Sequence, residues 1–172
     1  MIPMNNPTKY YSNIQEERVG RYLNWGVVSG SGNRACRPGD LMGAHYLGEC
    51  KTHTEPGHKI SFLSSVWNKL KEEAQSIFKF PVLIVDDGSQ QIDKTWCMFP
   101  YLVVAPDYSK VVEYPTISKK NVLFSHETVA KYYSEQFYQK YSDNTFGILK
   151  FKIDSEEVGV APLVEFARVY KD

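Results

Sequence analysis

Residues 39–51 read GDLMGAHYLGECK, two short arms joined by a two-residue connection at 43–44. The pattern predicts a β-hairpin in which Asp40 opens the first arm and Glu49 lies near the end of the second. Side chains of a strand alternate with a period of two, so Glu49 and Lys51 project from the same face. Antiparallel pairing would also bring the carboxylates of Asp40 and Glu49 side by side.

The segments on either side of this hairpin predict helices and further strands. Residues 1–11 are predicted to be an irregular arm, and residues 52–60 a polar loop. The other predicted elements are a helix from about Ser12 to Leu23 with a capping box at Ser12–Gln15, a strand at Val27–Val28, an amphipathic helix from Ser64 or Ser65 to Phe78 and a buried strand at Pro81–Val85.

The second half of the chain has weaker patterns. They predict a strand over Thr95–Ala105, a helix over Ser125–Tyr141 and a strand over Thr145–Ile153. The fold class expected is α/β, a mixed central β-sheet flanked by helices. One domain of 172 residues is predicted, with a core in the order α-β-β-β-α-β over about 12–86 and a C-terminal α/β extension over about 87–172.

Composition and charge exclude several classes of protein. The chain is 42% hydrophobic and contains no run of eighteen apolar residues, so a membrane span is not expected. Three widely spaced cysteines and no signal-peptide pattern favour a reducing cytoplasm. Net charge is zero, which argues against a protein that coats nucleic acid non-specifically. Residues 1–85 carry ten Lys/Arg and seven Asp/Glu, a net +3, so a phosphate ligand would be drawn to that half.

The hairpin residues have the chemistry of a phosphodiesterase. Hydrolysis of a phosphodiester needs a hard dication, and hard cations prefer clustered carboxylates such as Asp40 and Glu49. The Lys51 ammonium would lie beside them and stabilise the negative charge that grows on the phosphate. Glu49-Cys50-Lys51 is the one acid-x-Lys match that ends a predicted strand in this context.

At these residues the chain resembles the PD-(D/E)xK nuclease superfamily, and within it phage and bacterial enzymes similar to Holliday junction resolvases. The resemblance lies in Gln15-Glu16 followed by Val19, the loop Gly30-Ser31-Gly32, Gly39-Asp40, Glu49-Cys50-Lys51-Thr52, and the helix and Pro81-Val82-Leu83-Ile84 beyond. It implies a metal held by Asp40, Glu49 and the Cys50 backbone carbonyl, support from Glu16, and catalysis by Lys51. Pro38-Gly39-Asp40 departs from the Pro-Asp of the superfamily name, because Gly39 is inserted.

The resemblance also implies a cofactor, a substrate and an oligomeric state. The expected function is endonucleolytic cleavage of DNA with Mg²⁺ or Mn²⁺, and the expected substrate is branched DNA. Two symmetric cuts in a branched DNA imply a homodimer. Ser31, Arg37, Lys59 and Lys69 are candidate DNA contacts, although Ser31 also suits an ordinary turn and the three cations also suit a solvated surface.

Helix geometry distinguishes Glu16 from its neighbour Glu17. At 100° per residue, Val19, Tyr22 and Leu23 define the direction that should face the sheet. Glu16 lies roughly 65° from that direction and Glu17 roughly 165°, so only Glu16 should reach the carboxylates. A first-turn acid that complements the helix dipole is the alternative interpretation of Glu16.

Three other functions remain open from the sequence. A repair or restriction-type nuclease acting on duplex or single-stranded DNA would use the same residues. A catalytically inactive DNA-binding or interaction module of the same fold is a second alternative. A zinc-stabilised domain is the third, with His45, His53, His58, Cys36 and Cys50 as possible ligands, although their spacing lacks the usual Cys-x2-Cys signature.

Overall fold

A computed structural model describes residues 7–28, 39–115, 120–138 and 145–171. The helices are α1 (Pro7–Leu23), α2 (Ser64–Ser76), α3 (Tyr101–Val104), α4 (His126–Phe137) and α5 (Leu163–Tyr170). The strands are β1 (Gly26–Val27), β2 (Leu41–Met42), β3 (Tyr46–Lys51), β4 (Ile60–Phe62), β5 (Phe80–Asp86), β6 (Thr95–Phe99), β7 (Ser109–Glu113), β8 (Val122–Phe124), β9 (Phe146–Ile153) and β10 (Glu156–Pro162).

Eight of the strands form one mixed sheet in the order β1-β2-β3-β5-β6-β10-β9-β7. The β3–β5 and β7–β9 pairs are parallel and the other five pairs are antiparallel. A parallel pair needs a crossover connection, and α2 supplies it between β3 and β5. Strands β4 and β8 pair in a separate two-stranded sheet. The fold is therefore α/β, a mixed sheet flanked by helices.

Helices cover both faces of the large sheet. On one face α2 and α4 pack with Trp67, Leu70 and Tyr133 against strand residues that include Leu83. On the other face α1 and α5 pack against the opposite side chains of the same strands, and Phe166 of α5 is fully buried there. A strand covered on both faces is apolar throughout, which explains the continuous run in β5. The large sheet is thus the centre of both hydrophobic cores.

The first helix begins earlier than predicted. It starts at Pro7, so residues 7–11 are helical and the irregular arm predicted there is wrong. Ser12 lies inside the helix and forms no capping box. Proline is favoured at the first position of a helix, because its missing N–H has no helical partner there and its φ is already helical. Pro7 therefore starts the helix where the sequence pattern favoured Ser12.

Two other predictions need correction. The strand predicted over Thr95–Ala105 ends at Phe99, because Pro100 has no N–H for the sheet and instead precedes the short helix α3. The loop predicted over 52–60 ends in β4, so the order over residues 7–86 is α-β-β-β-β-α-β rather than α-β-β-β-α-β. Strands β7, β8 and β10 and helix α5 had no counterpart in the predicted elements. No helix of the described residues has the length and hydrophobicity to cross a membrane.

Candidate active site

The β2–β3 hairpin brings Asp40 close to the end of β3. Leu41, the first residue of β2, pairs with Gly48, and the Asp40 amide donates to the Gly48 carbonyl oxygen at 2.9 Å, so Asp40 also lies against Gly48. The Asp40 carboxylate accepts a hydrogen bond from the Cys50 amide, Oδ2 to N 2.9 Å. That bond orients the Asp40 side chain toward the end of β3.

Gly39 explains the departure from the Pro-Asp pattern. Its φ is +69°, in the left-handed region that favours glycine. A Cβ at this position would lie 2.5 Å from Cδ1 of Leu47 and 3.1 Å from the Gly48 carbonyl oxygen. The chain therefore reaches Asp40 through a turn that only glycine accommodates without strain. The Gly39 amide also donates to the Glu73 carboxylate of α2, N to Oε2 3.2 Å.

Glu49 and Lys51 project from the same face of β3 and form an ion pair, Nζ to Oε1 2.9 Å. Burial and the Asp40 charge raise the pKa of Glu49, against the opposing effect of Lys51. Burial acts to lower the pKa of Lys51, but the Glu49 carboxylate outweighs it, and the pKa of Lys51 lies above its usual value. The Lys51 side chain is half-exposed, so its ammonium is charged and accessible to a ligand.

Glu16 of α1 joins this group from the other face of the sheet. Burial, followed by the charges of Asp40 and Glu49, raises the pKa of Glu16 to about 7. Glu16 is half-buried, whereas Glu17 is exposed, as the helix geometry predicts. The structure therefore brings Glu16, Asp40, Glu49 and Lys51 together at the carboxyl end of β3.

Gln15, predicted as part of a capping box, instead contacts the strand that carries the candidate site. Its side chain is buried, and Nε2 donates to the Lys51 carbonyl oxygen at 2.8 Å. Its Oε1 is buried without a hydrogen-bond partner among the described residues. Gln15 thus ties α1 to the end of β3 and fixes the backbone that carries Lys51. The signal in the sequence was its position beside Glu16.

A cleft of about 280 Å³ opens beside Glu49 and Lys51, between β3 and α2. Lys69 and Glu73 line its α2 side, and their Nζ and Oε1 atoms lie 3.8 Å apart. Lys69, a predicted DNA contact, therefore lies at the site. Glu73 was not predicted as a site residue, because its i,i+4 spacing from Lys69 is typical of a solvated helix face. Only the tertiary structure places its carboxylate near Glu49 and Gly39.

Of the other predicted residues, Lys59 and the Cys50 thiol lie away from this cleft. Lys59 is exposed in the loop before β4 and lines a small cavity of about 40 Å³ with Asp87 and His126. Ser31 and Arg37 lie outside the described residues, as does Cys36. The Cys50 side chain is buried in the core on the α1 face, where burial raises the pKa of its thiol. Its backbone carbonyl lies in β3 between Glu49 and Lys51.

The acidic side chains do not form a closed metal site in this conformation. Within residues 7–28, 39–115, 120–138 and 145–171, no three His, Cys, Asp or Glu side chains converge as metal ligands. Glu49 is paired with Lys51 and Asp40 with the Cys50 amide. The candidate zinc ligands do not lie together either. His53 and His58 stack on each other with ring centroids 4.0 Å apart, but His45 lies at the opposite end of β3 and the Cys50 thiol is buried in the core.

The donor set nevertheless fits a hard dication. The carboxylates of Glu16, Asp40 and Glu49 do not converge on one point, but they lie close enough for their charges to interact, and this repulsion contributes to the raised pKa values of Glu16 and Glu49. A divalent cation would remove that repulsion, and carboxylate oxygens are the ligands that Mg²⁺ and Mn²⁺ prefer. The ammonium of Lys51 supplies a positive charge beside the same carboxylates. This arrangement has the chemistry to act on a phosphate ester.

The chain was also compared with known proteins. No protein-family model, no curated protein and no solved structure matches it. The resemblance to nucleases therefore stays a prediction from the residues quoted above.

Proposed function

We propose that this protein is a metal-dependent endonuclease that hydrolyses phosphodiester bonds of DNA. The observation that carries the proposal is the meeting of Asp40, Glu49 and Glu16 with Lys51 at the end of β3. Glu16 lies on α1, Glu49 and Lys51 lie on β3, and Asp40 directly precedes β2. Three carboxylates and one ammonium so close together are more than a solvated strand end requires. Gln15, which is buried and bonded to the Lys51 carbonyl, supports the same strand end.

The residues divide the chemistry between them. Asp40, Glu49 and the Cys50 carbonyl would hold Mg²⁺ or Mn²⁺, with support from Glu16, and the ion would supply a Lewis acid for the phosphate. Lys51 donates to a phosphate oxygen and stabilises the charge that grows on it in the transition state. Glu16 lies beside the same carboxylates, where it would help to hold the ion or orient the attacking water.

The substrate class is a further part of the proposal. The resemblance to Holliday junction resolvases favours branched DNA and a homodimer that makes two symmetric cuts. Zero net charge suits an enzyme that selects a DNA shape rather than one that binds any duplex strongly. Lys69 in the cleft and Lys59 in the neighbouring loop are the proposed contacts to the DNA backbone.

An inactive DNA-binding module of the same fold is the second candidate. The observation that favours it is the ion pair between Glu49 and Lys51, which occupies a proposed metal ligand in this conformation. A binding module would show DNA affinity with no cleavage at any metal concentration. A nuclease would show cleavage that requires the metal and Lys51.

The test compares a labelled four-way junction, a duplex and a single strand, each with Mg²⁺ or with a chelator. The proposal expects cleavage only with Mg²⁺ and faster cleavage of the junction. Lys51→Ala should lose that cleavage, and Lys152→Ala, an exposed lysine on β9, serves as the matched control. Cleavage that survives chelation, or that Lys51→Ala leaves unchanged, contradicts the assignment of the site.

A further inference from the structure

A second cleft adjoins the candidate active site on the other side of Lys51. Its volume is about 180 Å³, and Lys51 lines both clefts. Its accessible apolar surface comes from Leu63, directly before α2, and Val66 of α2, with the buried Leu83 and Val85 of β5 beneath them. Leu63 is 42% exposed, so its side chain is accessible to a ligand in the cleft.

Polar groups form one edge of this second cleft. Thr52 and His53, which follow Lys51 in the chain, line it together with Ser61 of β4. The Thr52 hydroxyl donates to the Asp86 carboxylate, Oγ1 to Oδ1 2.5 Å, so the oxygen of Thr52 retains lone pairs that accept a hydrogen bond. The cleft thus combines an apolar floor with hydroxyls at its edge.

The ring of His53 is held in place from outside the second cleft. It stacks on His58 with centroids 4.0 Å apart and planes inclined by 16°. The loop that carries both rings is bonded to the end of β5, because the His58 amide donates to the Asp87 carbonyl oxygen at 2.9 Å. His58 itself lines a separate cavity with Lys59. His53 is therefore a positioned aromatic ring beside the cleft rather than a free surface side chain.

We propose that the second cleft binds one unpaired DNA base next to the phosphate that is cleaved, with Leu63, Val66 and His53 contacting the base. The inference rests on the proposed nuclease function and specifies its substrate as DNA with an unpaired nucleotide at the cut. Extruded bases bind in pockets that combine stacking on apolar or aromatic side chains with hydrogen bonds to the base edge. At 180 Å³ the cleft is smaller than the roughly 300 Å³ at which sites for drug-sized ligands begin, so it suits a single ring system.

Two properties of the second cleft favour a base over other ligands. Lys51 lines both clefts, so an occupant of the second cleft would lie next to the group bound at the candidate active site. The mixed lining of the second cleft matches a base, which has an apolar face and a polar edge, better than it matches a sugar or a second phosphate. Lys51 is then the residue that separates the base from the reaction site.

The experiment measures binding separately from cleavage. Two duplexes of the same sequence are compared in the presence of a chelator: one is fully paired, and the other contains a single extra 2-aminopurine nucleotide as a bulge. The wild-type protein should prefer the bulged duplex by roughly 5- to 150-fold, the range that one stacked base contributes. The emission of the 2-aminopurine should change on binding, because its stacking partners change.

Two variants and a control test the residues. His53→Ala should lose most of the preference, whereas His45→Ala removes an exposed imidazole at the other end of β3 and should retain it. Ser61→Phe fills the cleft from β4 and should also remove the preference, which keeps the test decisive if His53→Ala does not fold. Equal affinity of the wild-type protein for both duplexes overturns the subsite, as does a preference that persists in both variants.

The outcomes also separate the subsite from the nuclease. Cleavage that requires Mg²⁺, together with equal affinity for both duplexes, overturns only the subsite. A preference for the bulge that is lost in His53→Ala, without cleavage under any condition, supports the subsite and overturns only the nuclease. Failure to bind the bulged duplex overturns the subsite, whereas the absence of Mg²⁺-dependent cleavage of junction, duplex and single strand overturns the nuclease.

Discussion

Glu16→Gln is expected to stabilise the protein while it removes activity. The substitution keeps the shape of the side chain and deletes its charge. Burial and the charges of Asp40 and Glu49 raise the pKa of Glu16 from 4.5 to about 7 in the folded protein. Between these pH values the folded protein holds a proton that the unfolded chain has released, so its stability falls as pH rises through this window and is lowest above pH 7.

The size of the effect follows from the pKa change. The rise in the pKa of Glu16 from 4.5 to about 7 corresponds to a free energy of about 3.4 kcal/mol at most, since one pKa unit corresponds to about 1.36 kcal/mol. Because Glu16 is only half-buried, solvent screening reduces the expected cost to about 1–2 kcal/mol. Glu16→Gln should therefore raise the free energy of unfolding by about 1–2 kcal/mol at pH 8 and by about 0.5 kcal/mol or less at pH 5.

Urea unfolding at pH 5 and pH 8 in the presence of a chelator measures this difference. Glu17→Gln is the matched control, because Glu17 is exposed on the same helix and its removal should change stability little at either pH. A Glu16→Gln protein that is less stable than the wild type at pH 8 would refute the proposed electrostatic environment. An equal gain from Glu17→Gln would show that helix charge, and not the site, causes the effect.

The same pair of variants tests the role of Glu16 in the reaction. Glu16→Gln should lose most of the cleavage activity and Glu17→Gln little of it. If Glu17→Gln is the more damaging, the assigned helix face is wrong and Glu16 is a surface acid that complements the helix dipole.

Three further predictions concern other residues of the site. Lys51→Ala should lower the cleavage rate by about 10²–10³-fold with DNA affinity nearly unchanged, because its ammonium acts on charge that develops in the transition state; single-turnover kinetics with a binding titration checks this, and an equal loss of both would contradict it. Asp40→Asn should abolish both Mg²⁺-dependent cleavage and the rise in melting temperature that Mg²⁺ gives the wild type, since a bound ligand stabilises the folded state; an unchanged rise would remove Asp40 from the ligand set. Gly39→Ala should destabilise the protein by roughly 2–5 kcal/mol in urea unfolding, because a left-handed φ adds to a Cβ contact of 2.5 Å with Leu47. Gly57→Ala is its control: φ there is +87° with no atom within 4 Å, so it should cost only about 1–2 kcal/mol, and equal losses would show that the Leu47 contact costs nothing.

Local patterns in the sequence were sufficient for several elements. The apolar run at 81–85 predicted a strand covered on both faces, and β5 is buried from Pro81 to Asp86. The helical spacing after Ser64 predicted α2, which ends two residues before the predicted limit. In each case one property of neighbouring residues, their hydrophobic period, determines the local structure.

The hairpin is the part of the site that sequence alone predicted. Alternation along β3 places Glu49 and Lys51 on one face, and the short connection brings Asp40 to the end of β3, where its carboxylate accepts a hydrogen bond from the Cys50 amide. The face of Glu16 on α1 also follows from the period of a helix.

Other features required the tertiary structure. Strand β10 lies between β6 and β9 in the sheet, and β4 pairs with β8 across sixty residues of chain, and neither pairing leaves a trace in the local period. The contact of Gln15 with the Lys51 carbonyl and that of Glu73 with the Gly39 amide join residues 36 and 34 positions apart. The second cleft likewise combines side chains from β3, β4, β5 and α2. The period of the side chains specifies which face of an element is apolar, but contacts between residues distant in sequence form only when whole elements pack. The sequence alone therefore predicted the carboxylates and the lysine of the site. Only the folded chain determined which residues support them and which residues surround them.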